Sequence, residues 1–435
     1  MGGRSPARRR FLAVAALAVT ALVLAACGSS GPQDRRASGS VKVWVLQDNG
    51  QNPVQRKAAE DFNKTSDVKV EIVPIGADQY TDKLRVSMGS PNAPDVFFNW
   101  GGGSIKPYVD AGQLVDLTPR LQADTAWRNA FLPSVLDAGR IGDKYYGIPL
   151  RGMQPVILFY NKDVFAKAGA QPPRSWDDLL RLIDTFKAAN VTPFALAGSQ
   201  DWTELMWLEY LTDRYGGAEV FQRILAGQPG AWRDAAVTKA LATIQDLVDR
   251  GAFGSKYASV DYNQGGASTI FARGRAAMHL MGSWEFSNQV TNEPKFAASG
   301  LGFTTFPAVP GGKGDADSVV GNPTNYFSVN AKSAHVDTAI EFLRQAMPST
   351  SYVDNLINAG DVPPIANIAA KLGSSKNSEF ATWTYQMVER APSFTLSWDQ
   401  ALPRNVSQVM LESLQKVFLK QLSPDGFVSA VEAVK

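Results

Sequence analysis

Cysteine is nearly absent: Cys27 is the only one among 435 residues, so no disulfide can form within the chain and a packed core must supply its stability. Histidine is almost as scarce. His279 lies in an apolar run and His335 at a helix start, and with one cysteine beside them they offer no cluster able to hold zinc. No G-x-S-x-G elbow, G-x-x-x-x-G-K phosphate loop or G-x-G-x-x-G fingerprint occurs, and Gly101-Gly102-Gly103 has the spacing of none of them. Hydrolysis by a carboxylate pair escapes this exclusion, because it needs only two acids apposed in space and 41 are present. An excess of one charge is lacking too. Once residues 1–26 are set aside, with their four arginines and no acid, 39 basic residues face 41 acidic ones. That balance gives nucleic acid no electrostatic footprint. After Cys27, no run is long and apolar enough to span a bilayer.

What is present begins at the N-terminus. Arg4, Arg8, Arg9 and Arg10 precede an uncharged run from Phe11 to Ala26, shorter than the ~20 residues of a permanent spanning helix. This is the pattern of a signal peptide over residues 1–26. Leu24-Ala25-Ala26-Cys27 resembles a bacterial lipobox, in which the cysteine carries diacylglycerol; the alternative is an ordinary cleavage site with a chance cysteine. More than one acyl chain gives the stable anchoring that a single chain lacks. Arg8-Arg9-Arg10-Phe11-Leu12 fits either a twin-arginine export motif or a plain basic region. Residues 27–40 are Gly, Ser, Pro and charge without apolar periodicity, and read as a flexible tether. The expected location is the outer face of the cell membrane, held by lipid.

Beyond the tether, strand and helix patterns alternate. Val41–Leu46, Val68–Ile75 and Asp95–Asn99 read as strands, with helices between them from Asn52-Pro53 to Thr65 and over 78–88. That alternation predicts a parallel sheet flanked by helices, with ligand beyond the carboxyl ends of its strands, at Gln47–Asn52 and Asn99–Ser104. Ile148–Tyr160 is extended and broken by Pro149 and Pro155, as expected of a crossing between lobes. Ser175 is placed to cap a helix carrying Asp177 and Asp178 in its first turn. Gly302–Phe306 and Val319–Val329 read as strands returning to the first lobe. The expected division is therefore a first lobe over 41–153 with the returning segment 306–347, and a second over 154–305 with the C-terminal segment 348–435. A 45% hydrophobic content can fill two cores.

Aromatic residues carry the functional signal. Five of the ten tryptophans stand beside polar residues at strand ends or in loops: Trp44 before Gln47 and Asp48, Trp100 after Asn99, Trp202 after Asp201, Trp284 before Glu285, and Trp398 before Asp399. A pyranose has an apolar C–H face and a rim of hydroxyls. A flat ring under the face with Asp, Asn, Gln or Glu around the rim matches both. Each of these tryptophans could instead fill a core. Trp127, Trp176, Trp207, Trp232 and Trp383 sit within helical patterns or at helix starts, where the core reading is preferred.

At these residues the chain resembles the extracellular solute-binding proteins of ABC importers, in the carbohydrate group that includes the maltose-binding type. The resemblance rests on Asp95-Val96-Phe97-Phe98-Asn99-Trp100, Val109-Asp110-Ala111-Gly112-Gln113-Leu114, Tyr145-Tyr146-Gly147-Ile148-Pro149, Phe159-Tyr160-Asn161-Lys162-Asp163, Phe271-Ala272-Arg273-Gly274-Arg275 and Gly282-Ser283-Trp284-Glu285, in that order. It implies a two-lobed α/β periplasmic-binding-protein-like fold of type II, each lobe a mixed sheet flanked by helices, with sugar in the cleft. Matched residue by residue, it puts cleft aromatics at Trp44, Trp100, Trp202, Trp284 and Trp398, and polar partners at Gln47, Asp48, Asn99, Asp201, Glu285 and Asp399. Arg151, Asn322 and Tyr326 are further candidates near the crossings. Ser397-Trp398-Asp399-Gln400-Ala401-Leu402-Pro403 most resembles actinobacterial binders of xylobiose or chitobiose. The implied partners are a neutral sugar, the importer's permease subunits and the membrane through the anchor, with the chain a monomer that uses no cofactor or metal and catalyses nothing. A secreted glycosidase and a binder of charged solutes are the rival readings.

Overall fold

The computed structural model describes residues 2, 39–137, 139–262 and 265–434. The expected signal peptide, the lipidation site Cys27 and the tether up to residue 38 lie outside the described residues.

Among the described residues the strands are, in order, β1 (Ser40–Leu46), β2 (Lys69–Ile75), β3 (Val96–Asn99), β4 (Arg140–Ile141), β5 (Lys144–Tyr145), β6 (Ile148–Pro149) and β7 (Gln154–Asn161). Then come β8 (Thr192–Ala195), β9 (Ala276–Gly282), β10 (Leu301–Thr304), β11 (Val319–Asn322), β12 (Tyr326–Val329) and β13 (Phe394–Leu396). One sheet has the order β2-β1-β3-β12-β6. β1 and β2 run parallel in register from Ser40↔Lys69 to Leu46↔Ile75, joined through the helix Gln51–Asn63. A parallel sheet covered on both faces has no wet side, which is why Val41, Val43, Trp44 and Val45 can follow so closely, all buried. The helix Gln51–Asn63 turns Val54, Ala58 and Phe62 onto this core at helical spacing, and Phe62 meets Phe342 edge-on at 5.4 Å.

The second sheet has the order β13-β11-β7-β9-β8, with β10 also on β7. β7 pairs antiparallel with β9 from Val156↔Gly282 to Tyr160↔Met278, and every residue of β9 is buried. Ser175 caps the helix Trp176–Ala188 as expected: its Oγ accepts from the Asp178 amide and the Asp178 carboxylate accepts from the Ser175 amide, both at 3.1 Å. A third, smaller cluster (Val135, Met153, Val353, Ile357, Val362, Ile368, Leu372 and Ala381) lies beside the two main cores.

The chain passes between the sheets from β6 to β7, again from β11 to β12, and a third time between β12 and β13. Here the returning segment departs from the sequence reading. β10 and β11 both pair with β7 in the second sheet, and only β12 joins the first, between β3 and β6. The segment 306–347 is thus divided between the lobes. The C-terminal segment is divided as well. Tyr352 and Leu356 of the helix Thr350–Asn358 belong to the first core, and the Tyr352 hydroxyl donates to the Leu150 carbonyl. Extended apolar segments do not encode their pairing partner locally, so both divisions are settled by packing at long range.

Candidate functional site

Five strand ends and the helices after them converge between the two sheets. On the first lobe these are the turn after β1 and the glycine loop after β3. On the second they are the starts of the helices Asp201–Gly216, Trp284–Asn292 and Trp398–Ala401.

In the β1 turn, Asp48 Oδ1 accepts from the amides of Gly50 (2.9 Å) and Gln51 (3.0 Å), and Asn52 Nδ2 donates to the Leu46 carbonyl at 2.7 Å. The turn is locked, and Asp48 Oδ2 is left 3.5 Å from Arg151 Nη1. Arg151 is buried at the first crossing. It holds Asp361 through Nε (3.2 Å) and Nη2 (3.3 Å), and Thr324 on the second crossing donates to its carbonyl at 2.7 Å. Burial works against the guanidinium charge, but Asp361 and Asp48 outweigh it and hold the pKa above its ordinary value. One cation therefore ties the first two crossings to the first lobe's turn.

After β3, Asn99 Oδ1 accepts from the Gly101 amide at 3.0 Å and its Nδ2 donates to Ser328 Oγ at 2.9 Å, so the amide shapes the glycine loop. Trp100 is half-buried, edge-on to Phe98 at 4.8 Å. The glycines matter sterically. A Cβ on Gly103 would stand 2.6 Å from the Leu402 carbonyl oxygen and 2.7 Å from that of Ala401, and one on Gly102, at φ +53°, would stand 2.8 Å from Leu396 Cδ2 and 3.0 Å from the Gln400 carbonyl oxygen. Leu402 and Ala401 belong to the second core, so the lobes meet here backbone to backbone. Arg404 and Asp82 add an ion pair across the same boundary at 3.1 Å.

The second lobe contributes the aromatics. Trp284 follows a turn fixed by Ser283, whose Oγ donates to the Met153 carbonyl at 2.8 Å. A Cβ on Gly282 would fall 1.9 Å from the Trp284 ring, so only glycine lets the indole lie over the strand end. Trp284 leans on Trp202 at 6.2 Å, and Trp202 meets Tyr262 edge-on at 5.6 Å. The Gln200 side chain accepts from the Tyr262 amide at 2.7 Å, which brings Tyr262 beside Trp202. All three rings are partly exposed, and burial with the Glu285 charge pushes the Tyr262 hydroxyl's pKa well up. Asp201 precedes Trp202 in the chain, and Asp399 lies within reach of the Asp201 charge. Burial pushes both carboxyls up, and the charge of Asp201 adds to the effect on Asp399. Behind Asp399, Glu209 accepts from Ser397 Oγ and the Trp398 amide, each at 2.7 Å, and burial pushes its carboxyl up to about 8.

Of the residues singled out in the sequence, Asp48 meets Arg151 at 3.5 Å, Trp202 meets Trp284 at 6.2 Å, Asp399 lies within reach of the Asp201 charge, and Trp100 packs against the first core. Asn322 stands at the second crossing, paired with Gln154, and its buried Oδ1 has no partner. Gln47 is exposed where β1 ends. Five others are structural. Trp44 is buried in the first core with Lys83 Nζ 5.2 Å over its ring. Trp398 is 1% exposed and stacked on Phe221 at 4.6 Å, with no face left for a ligand. Tyr326 is buried with its hydroxyl donating to the Val135 carbonyl at 2.6 Å. Asn99 is spent on the glycine loop, and Glu285 is wholly buried beneath Trp284. Sequence reasoning missed Tyr262 and Asp361; Gln51, within the segment Gln47–Asn52 it pointed to, is buried at the β1 turn with neither amide atom hydrogen-bonded. A pocket of about 680 Å³ among Phe62, Arg120, Asp124, Trp127, Asp337 and Arg344 is separate from the cleft, and its arginines already pair with Asp337 (2.6 Å) and Asp124 (3.6 Å).

Comparison with known proteins identifies the family and the fold. The profile of the family described as bacterial extracellular solute-binding protein matches residues 47–346. The multiple sugar-binding protein of Streptococcus mutans is 25% identical over 333 residues, 75% of each chain. The diacetylchitobiose binding protein DasA of Streptomyces coelicolor is 25% identical over 367 residues, 82% of each. Among solved structures, a protein from work on xylan utilisation by Caldanaerobius polysaccharolyticus superposes with a TM-score of 0.80 at 25% identity, covering 90% of this chain and 98% of that one.

Proposed function

Because this chain belongs to the bacterial extracellular solute-binding proteins, we propose that it captures a sugar or short oligosaccharide between its lobes, delivers it to the permease subunits of an ABC importer and leaves it chemically unchanged. The observation that carries this reading is the partly exposed set Trp202, Tyr262 and Trp284 beside Asp201 and Asp399. The rings supply apolar faces and the carboxylates accept hydroxyls, and the mixed charges around Arg151 favour a neutral solute over a strongly charged one. The relatives named above bind sugars, diacetylchitobiose in one case, which supports a di- or trisaccharide of the chitobiose or xylobiose kind. Ligand contacts from both lobes would favour the closed form over an open one, the difference a permease can read.

Thermal melts test the class of solute. Diacetylchitobiose, xylobiose and related neutral oligosaccharides are expected to raise the melting temperature, and a ligand at a hundred times its Kd adds about 2.7 kcal/mol. Phosphate, amino acids and spermidine should leave it unchanged. A shift with spermidine alone would favour the charged-solute reading, and release of shorter sugars during the incubation would favour a glycosidase.

The same reading makes residues 1–26 a signal peptide, Cys27 the lipidated first residue and the following stretch a tether holding a monomer outside the cell membrane. Cys27→Ser is then expected to leave the precursor unprocessed or to move the protein out of the membrane fraction. Normal incorporation of labelled lipid into that variant would refute the anchor.

A further inference from the structure

We propose that Glu285 is the positioning residue of the aromatic platform, acting through Tyr262, and that Tyr262 offers the ligand its ring and not its hydroxyl. This rests on the sugar-binding reading. Glu285 is 0% exposed and cannot touch a ligand in the cleft. Its carboxylate is nevertheless the centre of a network. Oε2 accepts from the Tyr262 hydroxyl at 2.9 Å, and Oε1 accepts from Ser268 Oγ at 2.9 Å and Gln289 Nε2 at 2.7 Å. His279 Nδ1 lies 3.4 Å from Oε1. Asn288 Nδ2 donates to the same Tyr262 hydroxyl at 3.3 Å and to Ser268 Oγ at 2.9 Å.

The hydroxyl of Tyr262 has one proton, and it is directed at Glu285. One of its acceptor sites is taken by Asn288. What remains toward the cleft is the ring, held edge-on to Trp202, which leans on Trp284. The platform is thus oriented from beneath by a group the ligand never meets, as second-layer hydrogen bonds orient contact residues elsewhere. The carboxylate suits the task because its two oxygens can accept from Tyr262, Ser268 and Gln289 together. A glutamine there has one acceptor oxygen, and its own amide protons would oppose those of Gln289.

Three variants test this: Glu285→Gln, Tyr262→Phe and the double substitution. Two readouts are taken, affinity for diacetylchitobiose and xylobiose by calorimetry, and the exciton circular-dichroism couplet of the paired Trp202 and Trp284 in the sugar-free protein. Each single variant is expected to lower affinity about tenfold, the scale of one strong hydrogen bond. Each should also shrink the couplet, and the double variant should be no worse than either alone, since both break one link. A couplet unchanged in Glu285→Gln would overturn the proposal. So would a full additional loss in the double variant, because Glu285 would then act by a route other than Tyr262. If the unaltered protein binds neither sugar, the sugar reading fails, while the couplet still decides how the platform is held.

Discussion

Replacing Trp284 with alanine is expected to weaken sugar binding by about 2–4 kcal/mol, the range of a buried aromatic anchor at an interface. The indole lies over Gly282 at the end of β9, leans on Trp202 and keeps part of its surface open to the cleft. Its underside is packed against protein and its other side is free, so the stability cost should stay below the roughly 3–5 kcal/mol of a core tryptophan truncation. Trp207 is the control. It is 1% exposed, with Phe194, Phe253 and Phe306 edge-on at 4.9, 5.2 and 5.9 Å. Trp207→Ala should take the full stability penalty and leave the affinity of the folded fraction alone. Calorimetry and urea unfolding on both variants separate the two roles. Unchanged affinity in Trp284→Ala, with a large loss of stability, would make Trp284 a core residue.

The second large effect is one of pH. Glu204 is wholly buried one turn after Asp201, and neither of its carboxyl oxygens has a hydrogen-bond partner. Burial pushes its carboxyl up to about 9, and the charge of Asp201 adds to the shift. In the unfolded chain the group titrates near the ordinary value of about 4.3. Between those values the folded protein holds a proton that the unfolded chain has released, so folding stability falls as pH rises across this window and levels off above it. Glu209, pushed to about 8, falls in the same direction over a slightly narrower window. Glu204→Gln removes the first contribution while keeping the shape of the side chain. At about 1.4 kcal/mol per pH unit, over the roughly 3.7 units from the unfolded value to pH 8, the variant should gain on the order of 5 kcal/mol over the unaltered protein at pH 8 and almost nothing at pH 4.5. Denaturant unfolding at the two pH values measures this, and an equal difference at both would show that Glu204 is charged in the folded protein.

Much of the fold could be read from the chain because its signals are local. β1, β3 and β9 announce themselves as short apolar, β-branched or aromatic runs, and Ser175 with Asp178 writes a helix start into four residues. The site was only partly legible, for a reason visible in two tryptophans. Ser283-Trp284-Glu285 and Ser397-Trp398-Asp399 look equivalent as sequence. Trp284 opens on the cleft, whereas Trp398 is stacked on Phe221 and meets Trp232 edge-on, residues more than 160 positions away in the chain. Which of two similar segments faces a cavity is decided by what else arrives there. Tyr262 was missed for the complementary reason: no strand precedes it, and the Gln200, Glu285 and Asn288 side chains bring it to the platform.

The place of β12 between β3 and β6 also sets a timetable for folding. Asn99 and Ser328, hydrogen-bonded across that pairing, are 229 residues apart. As the chain is made, β2, β1 and β3 can assemble early, but β3 then presents a bare edge until β12 has been synthesised. At 5–20 residues per second that interval is on the order of 10–45 s. An apolar strand such as Val96–Asn99 with an open edge for so long is a template for pairing with other chains. Closing the sheet late means that the first lobe cannot mature as an independent early unit, and its safety during synthesis depends on whatever shields that edge until residue 329 has emerged.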